Sequence, residues 1–475
     1  IEHPKLLIRV TTASFSVYNL PEIHVPCERF YPPLTTPGSK AFGSYLYGNA
    51  LGDYKVTLEL GMVGCGGMGF RHTRGFIELA SKFDTFRLTA VCDLHEQAAN
   101  HVATTIEDAL GYRPKVYTDF AQMLDEHKSL HAVDITTDTR MHHTFSIAAL
   151  QAGLHVMTEK PMAITLKACR AVRDFAEKSG LTFAVAENFR RDPMNRLAKA
   201  LIDNDAIGDP KFAVRVGVGG GTALMHNTGW RALKSRAGSH ILENGVHDCD
   251  LLLYFLGDID TISAETGVLI GTRRRAGLSG QLASFYEHRV EDEFADDELI
   301  DVDTEDSAFA VVRFASGAIG HVTLTSASQG YGVDVNTLHG TAGTLLLPQS
   351  RSGKGPEIRR EGRETPVRGN ELLDLVPDFQ LDDATARFWD GRKRMASYDM
   401  TFPEIDGKLV AIEYQDFGDA ILSGHEPEVG AETAMKALAF AYGLLESGYL
   451  RQSVRLDDVL TGKVSAYQQD IDDAL

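Results

Sequence analysis

The stretch Val56–Phe70, VTLELGMVGCGGMGF, decides the fold. Its apolar run ends at Val63 and passes into Gly64-Cys65-Gly66-Gly67-Met68-Gly69, a GxGxxG turn that opens a helix. In such a turn Gly64 permits the tight reversal, Gly66 lets backbone N–H groups approach a pyrophosphate, and Gly69 lets helix and strand pack closely. Together with Gly67 and Met68 these are candidate cofactor-binding residues. Downstream, the short β-rich runs RLTAVCD, KVYTD, HAVDITT, LHVMTEK and TFAVAEN alternate with amphipathic helical stretches. Strands interleaved with helices imply right-handed crossovers, hence an α/β fold with a doubly wound, parallel, Rossmann-type sheet of six strands. Asp93 ends the second run, where a carboxylate accepts bonds from the adenosine ribose hydroxyls. It is followed by Leu94 and His95 and not by an arginine, so a 2′-phosphate would meet a negative charge. The expected cofactor is NAD in preference to NADP.

Working outward, residues 1–54 hold Pro-rich and Gly-rich stretches without helical period and read as an extended arm. Residues 55–190 form the nucleotide-binding domain. Residues 191–475 change texture to alternating strands, KFAVRVGVG, SAFAVVRF, AIGHVTLTSA and TAGTLLL, with one long helix over about 240–255. This pattern predicts a C-terminal α+β domain with a large, mostly antiparallel open sheet. The chain returns to helix at about 408–422 and 431–446, helices that can pack back on the first domain. An open sheet leaves one apolar face to cover, which predicts a homodimer or homotetramer built through it.

Composition narrows the function classes. At 475 residues the chain is long enough for two or more domains, and 43% hydrophobic with 24% charged residues is the texture of a globular protein. The 66 acids against 47 bases give a formal charge of -19, which opposes binding to nucleic acid or to an anionic membrane. Eleven of the acids fall between Glu287 and Asp306, a stretch that reads as a solvated loop. Five scattered cysteines without CxxC spacing suggest reduced thiols in the cytoplasm and no metal site. No apolar run approaches the roughly 18 residues that span a bilayer.

Two short elements look like chemistry. Glu159-Lys160-Pro161 follows the fifth strand, which sets a lysine at the carboxyl edge of the sheet, where doubly wound folds bind ligands. Farther on, Glu243, His247 and Asp250 in ENGVHDCD share one face of a helical run, offering an imidazole with a carboxylate one turn away on each side. Trp230 followed by Arg231 and Lys234, with His226 and Asn227 before it, offers an aromatic platform beside hydrogen-bonding groups, a combination suited to a sugar ring.

These residues resemble the Gfo/Idh/MocA family of NAD(P)-dependent sugar and polyol oxidoreductases. The likeness rests on the Gly64–Gly69 loop, Asp93, the stretch TTDTRMHHTFSIAALQAGLHVMTEKP from Thr136 to Pro161, Asn188-Phe189-Arg190-Arg191, Gly229-Trp230-Arg231, and GVHDCD ending at Asp250. It covers about residues 56–345 and resumes in the final helices. The resemblance implies that Lys160 and His247 flank the reacting carbinol. It makes Glu243, where the family has Asp, a proton-relay partner, and Asp250 a ligand of a substrate hydroxyl or an orienting group for His247. It further implies a cofactor site that includes Thr136, Thr137, His142, Glu159, Lys160 and Asn188, and a substrate site that includes Lys160, Trp230, Arg231, His247 and Asp250. Asp138 departs from the family, which has Pro there.

Hydride transfer from a secondary alcohol needs the hydroxyl proton removed, which an imidazole accepts, while a lysine ammonium steadies the developing oxyanion. The leading expectation is therefore an NAD-dependent dehydrogenase acting on a sugar, inositol or glycoside, with C3 of a glucoside as one candidate. A redox-neutral NAD-dependent glycosidase working through a transient keto-sugar would use the same residues. A non-catalytic dinucleotide sensor is the third reading, opposed by the presence of both Lys160 and His247.

Overall fold

The computed structural model describes residues 57–224, 228–275, 283–286 and 298–475. The arm expected at 1–54, His226, Asn227 and most of the acidic stretch lie outside the described residues. Among the described residues no helix is long and apolar enough to cross a membrane.

Six strands form the first sheet: β1 (Leu58–Val63), β2 (Phe86–Cys92), β3 (Lys115–Tyr117), β4 (Ala132–Ile135), β5 (His155–Glu159) and β6 (Phe183–Ala186). All pair in parallel, in the order β3-β2-β1-β4-β5-β6. Their nearly continuous burial follows from helices covering both faces. The intervening helices are α1 (Gly67–Ala80), α2 (Glu96–Leu110), α3 (Phe120–Glu126), α4 (His142–Gln151) and α5 (Leu166–Ser179). The last is capped by Thr165, which accepts from the Ala168 N–H, and ends on Gly180 in the left-handed region. The strand order reverses between β1 and β4, so the carboxyl ends of these two strands open the crevice where such sheets bind ligands.

The helix α6 (Pro193–Asp203) leads into a second sheet, with β7 (Pro210–Val218) central. Two helices, α7 (His240–Glu243) and α8 (Gly245–Leu256), precede β8 (Ile259–Gly267). A small separate hairpin pairs β9 (Thr272–Arg274) with β10 (Leu299–Asp301). Then come β11 (Ser307–Phe314), β12 (Ile319–Thr325), β13 (Val333–Gly340), β14 (Thr344–Leu346), β15 (Glu357–Arg359) and, near the end of the chain, β16 (Val454–Arg455). The order is β15-β14-β13-β7-β12-β11-β8-β16, antiparallel except for β7 beside β12. Mixed polar strands such as VDVNTLHG in β13 carry no clear alternation, which is why β8 and β13 escape a reading by pattern.

The helix expected over 240–255 is broken at Asn244. The Glu243 carbonyl, which an unbroken helix would offer to the His247 N–H, accepts instead from Lys160 Nζ at 2.7 Å, and the His247 N–H turns to Asn244 O at 3.3 Å. The segment after β15 contributes Leu381, Phe388, Trp389 and Tyr398 to the core that packs on the first sheet. It therefore fills a core. Helix α9 (Phe402–Ser423), opened by a Thr401/Glu404 capping box, lies along α1 so closely that a Cβ on Gly75 would meet Val410 at 2.4 Å. The last long helix, α10 (Ala431–Leu450), covers the inner face of the second sheet.

Candidate active site

The glycine turn stands at the crevice, and its glycines have separate reasons. Gly64 adopts φ +95°, and a Cβ there would strike the Thr136 backbone at 2.8 Å. On Gly69 a Cβ would fall 2.0 Å from Gly64 O. Around Gly66 nothing among the described residues lies within 4 Å of the Cβ position, and α1 begins there without a side-chain cap. That pairing of open space with unsatisfied first-turn N–H groups is the cradle a pyrophosphate requires. Gly67 answers to another neighbour: its Cβ position is 2.1 Å from the ring of Tyr286, which arrives from the second half of the chain. The Met68 thioether sits beside Arg71 Nη1 at 3.1 Å.

Asp93 accepts from the backbone N–H groups of Cys65 (2.7 Å) and His95 (2.8 Å), one on each oxygen, so its remaining lone pairs are aimed for ribose hydroxyls. Thr136 donates to Gly64 O at 2.6 Å and joins the ends of β1 and β4. Thr137 turns its hydroxyl to Asp138 O. The His142 ring is held between Pro161 O (2.8 Å) and Thr137 O (3.1 Å), tying the loop after β4 to that after β5. Asp138, where the family has Pro, is paired with Arg236 at 3.0 Å. The glycine turn, Asp93, Thr136, Thr137 and His142 therefore gather at one crevice, and their chemistry fits a dinucleotide.

Glu159 points under the sheet. Its carboxylate meets His72 Nε2 at 3.2 Å and accepts from the Lys160 N–H at 2.9 Å, while His72 Nδ1 lies 2.9 Å from Asp134. Burial opposes charge on Glu159, but His72, Lys160 and Arg71 outweigh it and hold its pKa down at about 2. Burial likewise opposes a charge on His72, yet Asp134 and Glu159 raise its proton affinity well above the ordinary value. The strand that delivers Lys160 is thus anchored by a buried imidazolium between two carboxylates.

His247 departs most from the sequence reading. Its Nδ1 lies 2.8 and 2.7 Å from the two oxygens of Glu187, and its ring stacks on Phe189 with centroids 4.0 Å apart. The expected flanking acids are occupied elsewhere. Glu243 binds the Thr139 hydroxyl at 2.5 Å and Arg231 Nε at 3.2 Å, and Asp250 forms a buried pair with Arg190. The break at Asn244 swings Glu243 away, and Arg190 claims Asp250, so neither orients the imidazole. Glu187 follows β6 as Lys160 follows β5, and that position at a strand's carboxyl edge is the signal that could have found it. Burial pushes the Glu187 carboxyl up to about 7 against the pull of Phe189 N–H, Lys160 and Arg190. Burial first, then Lys160 and Arg351, lower the proton affinity of His247 well below the ordinary value. Both shifts favour the uncharged imidazole.

Beside it opens a cavity of about 650 Å³ between α8 and the inner face of the second sheet. His247, Asp248, Arg215, Arg231, Arg351 and Phe189 are among its lining residues. Arg231 and His247 are there as expected; Lys160, Trp230 and Asp250 are not among them. Trp230 lies under the Arg231 guanidinium at 4.2 Å, and Lys234 is drawn to Asp470 and the Tyr467 ring. Lys160 meets the cavity wall through its bond to the carbonyl of Glu243, which lines the cavity one helical turn before His247. Asn188, buried next to Phe189, keeps its side-chain oxygen without a hydrogen bond among the described residues.

Comparison with known proteins agrees with this crevice. Residues 58–187 match the family model described as an oxidoreductase family with an NAD-binding Rossmann fold, and residues 195–346 match the Gfo/Idh/MocA C-terminal domain. A levoglucosan dehydrogenase from Pseudarthrobacter phenanthrenivorans is 28% identical over 304 residues, 62% of this chain and 74% of that protein. Inositol 2-dehydrogenase 2 of Saccharopolyspora erythraea is 28% identical over 296 residues, again 62% of this chain and 74% of its own length. Among solved structures, a levoglucosan dehydrogenase in complex with NADH superposes with a TM-score of 0.66 at 22% identity, covering 84% of this chain and 99% of that one, a likeness of fold.

Proposed function

The chain belongs to the Gfo/Idh/MocA oxidoreductase family, and from that premise we propose that it transfers hydride between a secondary hydroxyl of a sugar, inositol or glycoside and NAD. The observation that carries the reading is a buried imidazole held by Glu187 at the wall of a cavity, with the Lys160 ammonium bound to the carbonyl of Glu243, one helical turn before His247. NAD, seated on the open cradle at Gly66 with its ribose on Asp93, would supply the hydride acceptor. His247 Nε2 takes the hydroxyl proton, since Nδ1 is committed to Glu187. Lys160, whose ammonium has only a carbonyl for a partner among the described hydrogen bonds, offsets the negative charge that grows on the alcohol oxygen. Glu187 is the positioning residue that fixes the ring, a part the resemblance had offered to Asp250.

A panel of sugars, inositols and glucosides assayed for NADH with NAD and with NADP tests this proposal. NADH formed with NAD from at least one polyol supports it. Aglycone release without NADH would favour redox-neutral glycoside cleavage, and binding of NAD without turnover of any carbohydrate would favour a sensor.

Assembly belongs to the same proposal. Phe212, Ile319, Val335, Phe309 and Val311 project exposed from the outer face of the second sheet on paired strands, and a second copy of the chain would cover them. Light scattering that gives a monomer at micromolar concentration would overturn this assignment. Four buried free cysteines, Cys65, Cys92, Cys169 and Cys249, support a reducing, cytoplasmic setting.

A further inference from the structure

Among the described residues, three of the four arginines lining the cavity own a carboxylate. Arg215 grips Asp248 (2.6 and 3.1 Å), Arg231 has Glu243 at 3.2 Å, and Arg273 has Asp306 at 3.0 Å. Arg351 does not. Its one ion pair among the described residues runs from Nη1 to Asp406 Oδ1 at 3.1 Å, and that carboxylate is already held on both oxygens by Arg71, at 2.9 and 2.5 Å. Two guanidiniums thus share one negative charge. The other acids close to Arg351 are spent: Asp192 on the N–H groups of Met194 and Arg351 and on the Tyr398 hydroxyl, Glu187 on His247 and the Phe189 N–H.

The geometry of Arg351 marks it out further. Its Nε is buried with no hydrogen-bond partner among the described residues. Its φ of +65° is one that residues with a Cβ rarely adopt, and the loop holds it there through the 2.6 Å bond from its N–H to Asp192. Its guanidinium lies 4.6 Å from the centroid of Phe189, the ring on which His247 stacks at 4.0 Å, and all three residues line the cavity. A guanidinium with charge to spare is a planar donor group matched to a carboxylate.

We propose that Arg351 receives a carboxylate on the substrate, so that the alcohol oxidised beside His247 belongs to an acidic sugar or polyol of the uronate or aldonate class. The inference rests on the hydride-transfer reading above. A carboxylate on Arg351, bound over the edge of Phe189, brings secondary hydroxyls of a six-carbon chain to His247. It also relieves the crowding of positive charge that Arg71 and burial impose on Arg351.

Equilibrium binding to the NADH-loaded protein tests the inference independently of turnover. D-glucuronate and D-galacturonate are compared with their methyl esters, which keep every hydroxyl and lose only the charge. A charge-assisted contact predicts that at least one acid binds on the order of 10- to 100-fold more tightly than its ester, and that Arg351→Gln brings this ratio to about one. The ester comparison on the unaltered protein stands even if the variant fails to fold. Equal binding of acids and esters, or binding of neither, overturns the proposal. So does an Arg351→Gln protein that keeps the ratio and loses NADH affinity, because the guanidinium would then serve a cofactor phosphate. Absence of NADH formation from every carbohydrate would sink the dehydrogenase reading while leaving the binding ratio to be judged by itself.

Discussion

Replacing Glu187 by Gln is the most searching single change, because it separates orientation of the imidazole from its chemistry. Both Glu187 oxygens lie within 2.8 Å of His247 Nδ1, so the carboxylate holds the ring in the tautomer whose Nε2 lone pair faces the cavity. Gln keeps the shape and removes the charge. The lost charge-assisted bond is worth roughly 1.5–3 kcal/mol, which at 1.36 kcal/mol per decade is about a 10- to 150-fold fall in kcat. The pH profile carries the sharper signature. In the native protein a proton taken up by Glu187 removes the charge that holds the Nδ1–H tautomer, and its pKa of about 7 sets where this happens. Oxidation should therefore fall on the acid side with a midpoint near 7. In the Glu187→Gln variant the limb belongs to His247 alone, whose proton affinity is depressed, and it moves to lower pH while the ceiling drops. Steady-state NADH formation across the pH range measures both. A variant with undiminished kcat, or one whose rate falls with the acid limb unmoved, would refute the positioning role.

Lys160→Met and His247→Ala should each slow turnover by on the order of 10²- to 10⁴-fold with NAD affinity nearly intact, checked by steady-state kinetics and cofactor titration. Gly66→Ala fills open space, so its unfolding midpoint should match the native protein while NAD affinity falls; Gly69→Ala drives a Cβ into backbone at 2.0 Å and should lose stability as well. Glu413 is buried with neither oxygen hydrogen-bonded among the described residues, and burial lifts its pKa to about 8 from an ordinary 4.5. A raised carboxyl favours the folded state below 4.5 and loses that advantage as pH climbs to 8. Glu413→Gln should accordingly gain stability at pH 7 by roughly 3 kcal/mol, at 1.36 kcal/mol for each of about two and a half units between 4.5 and 7. Chemical denaturation at pH 7 and pH 4.5 would show the gain at the first and not the second.

How far the sequence could be read depended on how local each cause was. The glycine turn, Asp93 and the six parallel strands rest on short-range pattern, and all stand where the pattern put them. The site around His247 rests on long-range contacts. Lys160 reaches 83 residues along the chain to take the Glu243 carbonyl, which breaks the helix and dissolves the shared face on which Glu243 and Asp250 were placed. Glu187 lies 60 residues before His247, and Arg351 pairs with a residue 55 positions later, so no spacing announces either. Tyr286 against Gly67 is of the same kind. Trp230 looked like a sugar platform because aromatic and polar residues were neighbours in sequence, yet the turn at Gly229–Ala232 sends only Arg231 of the pair to the cavity lining.

The most direct measurement is the structure of the protein with NADH and a bound polyol or sugar acid. A single hydroxyl should lie within hydrogen-bond distance of both Lys160 Nζ and His247 Nε2, with its carbon facing the nicotinamide ring. A ligand whose hydroxyls reach only one of these two groups, or whose carbinol carbon faces away from the ring, would contradict it.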